Sequence, residues 1–178
     1  MAQLVTTHGT CQLARRKFRP FHTLTTSIMS QQLSAKAADT IEKRVVELVQ
    51  SFCPSAFLSV PLEILRKAGL STAKAKYIIE LAARVNDGRL NFEALRHQSD
   101  DDVIAALTEL PGIGRWTAEM FLIFSLKRPD ILAVGDVGLQ RAVRLLYGDT
   151  TKLDNIGQLW KPYRSVASWY LWRHLDSN

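Results

Sequence analysis

Apolar residues recur at three- and four-residue intervals along nearly the whole chain, the spacing of helices that bury one face. Leu24, Ile28 and Leu33 place a mostly uncharged helix over 21–34. Ser34 is placed to cap a second helix, whose Ala38, Ile41, Val45, Leu48 and Phe52 form a stripe opposite Glu42, Lys43 and Glu47 and which ends at Cys53-Pro54. Pro61 suits the first position of a third, carrying Leu62, Leu65 and Ala68 to a stop at Gly69. Ser71 or Thr72 starts a fourth with Ile78, Leu81, Ala82 and Val85, closed by the turn Asn86-Asp87-Gly88. Period-two alternation is nearly absent, and Phe57-Leu58-Ser59-Val60 is too short to argue for a sheet. The pattern predicts an all-α fold.

The most informative stretch is Leu110-Pro111-Gly112-Ile113-Gly114-Arg115, a turn between two helical patterns. Ser99 with Asp100, Asp101 and Asp102 makes an N-cap and an acidic first turn, and Val103, Leu107 and Leu110 follow at helical spacing. Pro111 stops that helix, and Gly112 and Gly114 permit backbone angles closed to other residues. A second helix opens at Arg115-Trp116-Thr117, so a hairpin spans about 100–126. N–H groups at such a helix start, unobstructed by side chains, suit one phosphate oxygen. A weaker echo runs from Leu65 to Leu70 and on to Lys74, which makes Lys74 a candidate phosphate contact.

Lys127-Arg128-Pro129-Asp130 is a polar break and the place to divide the chain. Beyond it Asp136 stands between Gly135 and Gly138, just ahead of a helix bearing Arg141, Val143, Arg144 and Leu146 that ends at Gly148. The last element, Leu159 to Leu175, holds Trp160, Trp169 and Trp172. Asp136 reads first as an N-cap, a role compatible with catalysis because the helix start favours its charge and fixes its direction.

With 23 Lys and Arg against 17 Asp and Glu, the chain of 178 residues carries a formal charge of +6 and suits an acidic partner. The early excess is concentrated: Arg15, Arg16, Lys17, Arg19 and Lys36 precede the first acidic residue, Asp39. Cys11 and Cys53 give neither a metal-ligand spacing nor a disulfide framework, and no apolar run approaches the ~18 residues of a membrane span. An intracellular location is expected: cytoplasm or nucleoid in a prokaryote, nucleus in a eukaryote.

The segments L-P-G-I-G-R-W-T-A, A-V-G-D-V-G-L-Q-R-A-V and W-K-P-Y-R-S-V-A-S-W-Y-L-W, in that order, resemble the helix-hairpin-helix DNA glycosylase superfamily, and most the 3-methyladenine DNA glycosylase II branch, over roughly 18–175. The resemblance implies two helical lobes flanking a cleft: 21–127 with the hairpin, and 1–20 plus 128–178. It implies that Asp136 is the catalytic carboxylate and that Trp116, Met120, Val137 and Trp172 line the base pocket. Gly112, Ile113, Gly114, Arg115 and Thr117 would hold a backbone phosphate beside the lesion. Gln31, Gln32 and Leu33 match the segment that fills the gap left by the flipped nucleotide, Gln32 being the wedge. Carbonyls of Thr108, Leu110 and Ile113 match positions that often hold Na+ or K+; no other cofactor is implied. The partner is damaged double-stranded DNA, no membrane, and the protein is expected to be a monomer.

The chemistry fits such a reading. A base must leave the stack before its glycosidic bond is reachable. An alkylated purine is cationic, leaves readily, and gains about 0.5–2 kcal/mol against an indole face. The sugar left behind is oxocarbenium-like, and a carboxylate stabilises it and orients the attacking water. Bifunctional relatives carry a lysine nucleophile where this chain has Trp116, so a monofunctional hydrolase is expected. The cysteines that hold an iron–sulfur cluster in other branches are missing. The branch's best-known bacterial members have an extra N-terminal β-rich lobe, for which no counterpart is expected here. Met120 and Val137 stand where some relatives place tyrosines, and Gln32 replaces an aliphatic wedge. Substrate choice among 3-methyladenine, 7-methylguanine and deaminated or ethenylated purines is therefore left open. The alternatives are a glycosylase for a mismatched, deaminated or oxidised base, and a non-catalytic DNA-binding module.

Overall fold

A computed structural model describes residues 1–15 and 17–177, apart from the side chain of Ala35; Arg16 of the basic N-terminal run lies outside the described residues. In chain order the helices are α1 (Ala2–His8), α2 (Pro20–Ser30), α3 (Ala35–Val49), α4 (Pro54–Ser59), α5 (Leu62–Lys67), α6 (Thr72–Asn86), α7 (Phe92–Leu95), α8 (Asp100–Thr108), α9 (Arg115–Phe124), α10 (Val137–Tyr147), α11 (Leu153–Gly157) and α12 (Arg164–Asp176). Short 3-10 turns cover Leu13–Arg15 and Gln158–Trp160. No strand occurs among the described residues, as the helical periodicity predicts.

Several helix starts follow the capping residues. The side chains of Ser34, Ser71, Ser99 and Asp136 each accept an N–H from the first turn they precede. Several boundaries differ from the sequence expectation. α2 stops at Ser30, because Gln31 leaves the helical region with a ψ of 131° and Gln32 follows at a left-handed φ of 57°. Along α3, Val45 and Val49 are buried while Leu48 is exposed, so the core-facing stripe lies slightly off the expected one. Pro61 caps α5 instead of opening it. The C-terminal helix begins at Arg164, not Leu159; Pro162 has no N–H to continue a helix, and Trp160 is left in the preceding 3-10 turn.

The chain divides into two compact units, Arg19–Ala118 and Met1–Phe18 with Glu119–Asn178. The boundary falls within α9 and not at the 127/128 break. The second half of that helix packs among the terminal segments: Phe124 lies 5.5 Å from the ring of Trp172, and Ile123 shares a cavity wall with Leu13 and Val166.

The Arg19–Ala118 unit is built on α6. Ile78, Leu81 and Ala82 are buried with Leu24, Ile28, Phe57 and Leu107, and α2 and α4 pack against α6. Phe21, Phe52 and Phe57 close one end edge to face, with centroids 5.1–6.2 Å apart. In the unit of both termini, α12 is the central helix, with α1 and α10 packed on it. Tyr170 on α12 donates its hydroxyl to the Gly9 carbonyl at 2.7 Å, which fixes the chain just after α1.

Candidate active site

The hairpin forms as the local sequence dictates. Ser99 accepts the Asp102 N–H at 3.2 Å and donates to its carboxylate at 2.6 Å, starting α8. Val103 and Leu107 face the core, and the N–H of Ile113 donates to the Leu110 carbonyl at 3.1 Å across the turn. Gly112 has a φ of 83°, and a Cβ built there would run into the ring of Tyr77. Glycine at 112 is therefore demanded twice. Gly114 differs from the expectation for both glycines: its φ is not positive, and nothing lies within 4 Å of where its Cβ would stand. The fold does not require it, and its missing side chain leaves the N-terminus of α9 open.

Ile113 and Thr117 are buried, so neither side chain is presented to a ligand there. Arg115 is exposed, and Trp116 is 48% exposed. The carbonyls of Thr108, Leu110 and Ile113 lie at the C-terminal end of α8 and in the turn that follows. They are hard oxygen donors at the negative end of a helix, a donor set that suits a monovalent cation.

The Gln31–Leu33 segment is tied to this hairpin. Gln31 does not extend into solvent: its Nε2 donates to the Gly112 carbonyl at 2.7 Å. Lys74, expected at a phosphate, instead donates from Nζ to the carbonyls of Met29 at 2.9 Å and Gln31 at 2.6 Å. Burial pulls its ammonium below the usual lysine range. Gln32 and Leu33 are exposed beyond these bonds, Leu33 by 39%. Partners separated by 81, 45 and 43 positions leave no mark in local sequence.

In the unit of both termini, Asp136 is 7% exposed and caps α10. Its Oδ1 accepts the Leu139 N–H at 2.7 Å and the Trp172 indole N–H at 3.2 Å. The loop leading to it runs along α12 and is pinned at its other end. Arg164 grips the Asp130 carboxylate with two bonds, at 2.7 and 2.9 Å, and the Ile131 N–H donates to Ser165 Oγ at 2.9 Å. Gly138 gives the carboxylate room: a Cβ there would stand 3.1 Å from Asp136 Oδ1, whereas Trp172 Cδ1, at 3.6 Å, would be in ordinary contact. Trp172 also faces Phe124, tilted by 34°. A groove of about 650 Å³ opens beside them, lined by His8, Gln12, Phe124, Trp169, Trp172 and Arg173.

Phe124, Gly138 and the Asp130–Arg164 pair were not singled out in sequence as site residues. An aromatic four residues past Met120 on the same helix was the available signal for Phe124. Met120 itself is buried, whereas Val137, beside the carboxylate, is 74% exposed. Gln31, Gln32, Leu33, Lys74 and the hairpin through Thr117 thus share one unit, and Met120, Asp136, Val137 and Trp172 share the other.

Residues 25–162 match the model of the HhH-GPD superfamily of base excision DNA repair proteins. DNA-3-methyladenine glycosylase 1 of Schizosaccharomyces pombe is 32% identical over 166 residues, covering 88% of this chain and 73% of that protein. The crystal structure of a Bacillus halodurans DNA-3-methyladenine glycosidase superposes with a TM-score of 0.80 at 40% identity, covering 96% of this chain and 86% of that one. The S. pombe 3-methyladenine DNA glycosylase Mag1 in complex with abasic DNA gives 0.83 at 30% identity, covering 97% and 89%. An acidic helix cap held by a tryptophan, together with a helix–turn–helix whose second glycine the fold does not need, therefore stands in a chain that belongs to the HhH-GPD superfamily of base excision DNA repair proteins, in its 3-methyladenine DNA glycosylase branch.

Proposed function

We propose that this protein is a monofunctional DNA glycosylase, acting as a monomer on double-stranded DNA, that flips out alkylated purines of the 3-methyladenine and 7-methylguanine type and hydrolyses their glycosidic bond. The observation that carries this reading is the Asp136 carboxylate, oriented by two hydrogen bonds to one oxygen, on the same indole that packs against Phe124.

The reaction asks little of the protein in proton transfer. An alkylated purine departs as a neutral base when the C1′–N bond breaks and its electron pair goes to the ring nitrogen. The positive charge left on the sugar is met by Asp136, held in place before the charge develops. Water then adds to C1′ and gives up a proton to the carboxylate and on to solvent, leaving an abasic site. The indole of Trp172 and the ring of Phe124 offer π-faces to the cationic base, an attraction of about 0.5–2 kcal/mol that a neutral base does not feel. Trp116 has no amine for a Schiff base, so the strand stays intact.

The hairpin supplies the grip. Backbone N–H groups at the start of α9 bind one phosphate whatever the sequence, with Arg115 beside them. A monovalent cation on the carbonyls of Thr108, Leu110 and Ile113 would add positive charge toward that phosphate.

The test is release of free bases from methylated duplex DNA, with the product strand cut only after heat or alkali. Wild-type release that Asp136→Asn abolishes while duplex binding survives is the expected result. Cutting without alkali would contradict the monofunctional reading, and binding without release would make the chain a DNA-binding module.

A further inference from the structure

We infer that Lys74 is a positioning residue that locks the gap-filling turn Gln31–Leu33 to the phosphate-binding hairpin, so that the wedge and the grip meet DNA as one body. The inference rests on the DNA-glycosylase reading for its ligand and on three connected contacts for its mechanism. Lys74 Nζ bridges the carbonyls of Met29 and Gln31, which flank the last residue of α2. A cation there satisfies carbonyls that the end of a helix leaves without N–H partners. Gln31 then carries the link onward, its side-chain amide donating to the Gly112 carbonyl. Tyr77, three residues after Lys74 and on the same face of α6, backs Gly112 from beneath. One helix thus holds the turn with its ammonium and supports the hairpin with its ring.

The turn needs such a hold. Gln32 sits at a left-handed φ of 57°, a conformation that costs a side-chain-bearing residue free energy and persists only where its surroundings fix it. A lysine whose role was to meet a phosphate would direct its donors outward; this one has committed two to carbonyls.

Lys74→Met removes the donors, and Lys74→Arg keeps them. With a duplex containing a tetrahydrofuran abasic analogue opposite 2-aminopurine, Lys74→Met should bind about tenfold more weakly and lose the fluorescence rise of wedge insertion. Undamaged duplex should bind within about twofold of wild type, with an unchanged salt slope. Lys74→Arg should restore most of the loss. An equal loss on both duplexes with a slope shallower by about one would make Lys74 a phosphate contact and overturn the proposal. Unchanged binding and fluorescence would overturn it as well.

Should Lys74→Met fail to fold by circular dichroism, Gln31→Ala breaks the same link at its other end and is read in the same assays. Hydrogen exchange on the free protein separates the two readings. Removing the link should speed exchange at 31–34 and at 112–114 together by about tenfold or more, whether or not wild type releases methylated bases. Faster exchange at 31–34 alone would sink the clamp, whereas failure of wild type to release bases would sink the glycosylase reading.

Discussion

The hairpin and the Asp136 loop both hold polar groups in fixed directions, and they do so by opposite means. The hairpin works with backbone atoms, shaped by Pro111, Gly112 and a serine-capped helix within fifteen residues of sequence. The loop works with one carboxylate, whose direction depends on Trp172, 36 positions away, and on an ion pair spanning 34. A backbone site tolerates side-chain change around it and discriminates little among sequences. A side-chain site is chemically specific and exposed to loss through any one distant partner. The first arrangement suits a grip on DNA and the second suits chemistry on a single base.

The largest expected effect tests this division directly. Asp136→Asn keeps a capping oxygen but removes the charge, and base release should fall by about 10² to 10³ in single-turnover assays while duplex affinity stays near wild type. Loss of both together would mean that the loop contributes to the grip. Gly112→Ala should do the reverse. It strains a φ of 83° and pushes a methyl into Tyr77, so all duplexes should bind more weakly and the melting midpoint should fall by the equivalent of about 1–3 kcal/mol.

Trp172→Phe keeps an aromatic face and deletes the N–H to Asp136. A loss of about five- to tenfold in release rate is expected with little change in stability, similar for charged and neutral bases. A loss confined to charged bases would transfer the effect from carboxylate alignment to stacking. Asp130→Asn should cost about 1–2 kcal/mol in thermal or urea unfolding, because Arg164 loses its bidentate partner. The pH dependence has a defined sign. Arg164 holds the Asp130 carboxyl below its ordinary value of 3.8, so this stabilisation is complete above that value and is lost as pH falls through the lower folded pKa. The Asn variant should lack that component of acid unfolding. Gly114→Ala is the smallest in stability, within about 0.5 kcal/mol of wild type, yet it should still weaken duplex binding. Unchanged affinity would show that the open start of α9 is not the phosphate site.

Much of the fold was legible because its signals are local. Capping serines at 34, 71 and 99, the asparagine–aspartate–glycine turn and the period of apolar residues set helix positions directly. Misplacements occurred where a tertiary bond or a single proline overrode periodicity. α2 stops before Leu33 at the turn that Lys74 and Gln31 hold in place, and α12 begins after Pro162. The divided helix α9 defeated the boundary expectation, since a polar run at 127–130 marks a loop but says nothing of where the preceding helix packs.

Sequence alone determined the helical class, the hairpin and Asp136 as the cap of α10, because each rests on steric and hydrogen-bonding rules that act within a few residues. Tertiary structure decided how that carboxylate is aimed, that Gly112 is backed by Tyr77 while Gly114 faces open space, and that Lys74 and Gln31 point inward. Those outcomes depend on which distant groups meet across a packed interior, and hydrogen bonds between residues dozens of positions apart have no periodicity to betray them.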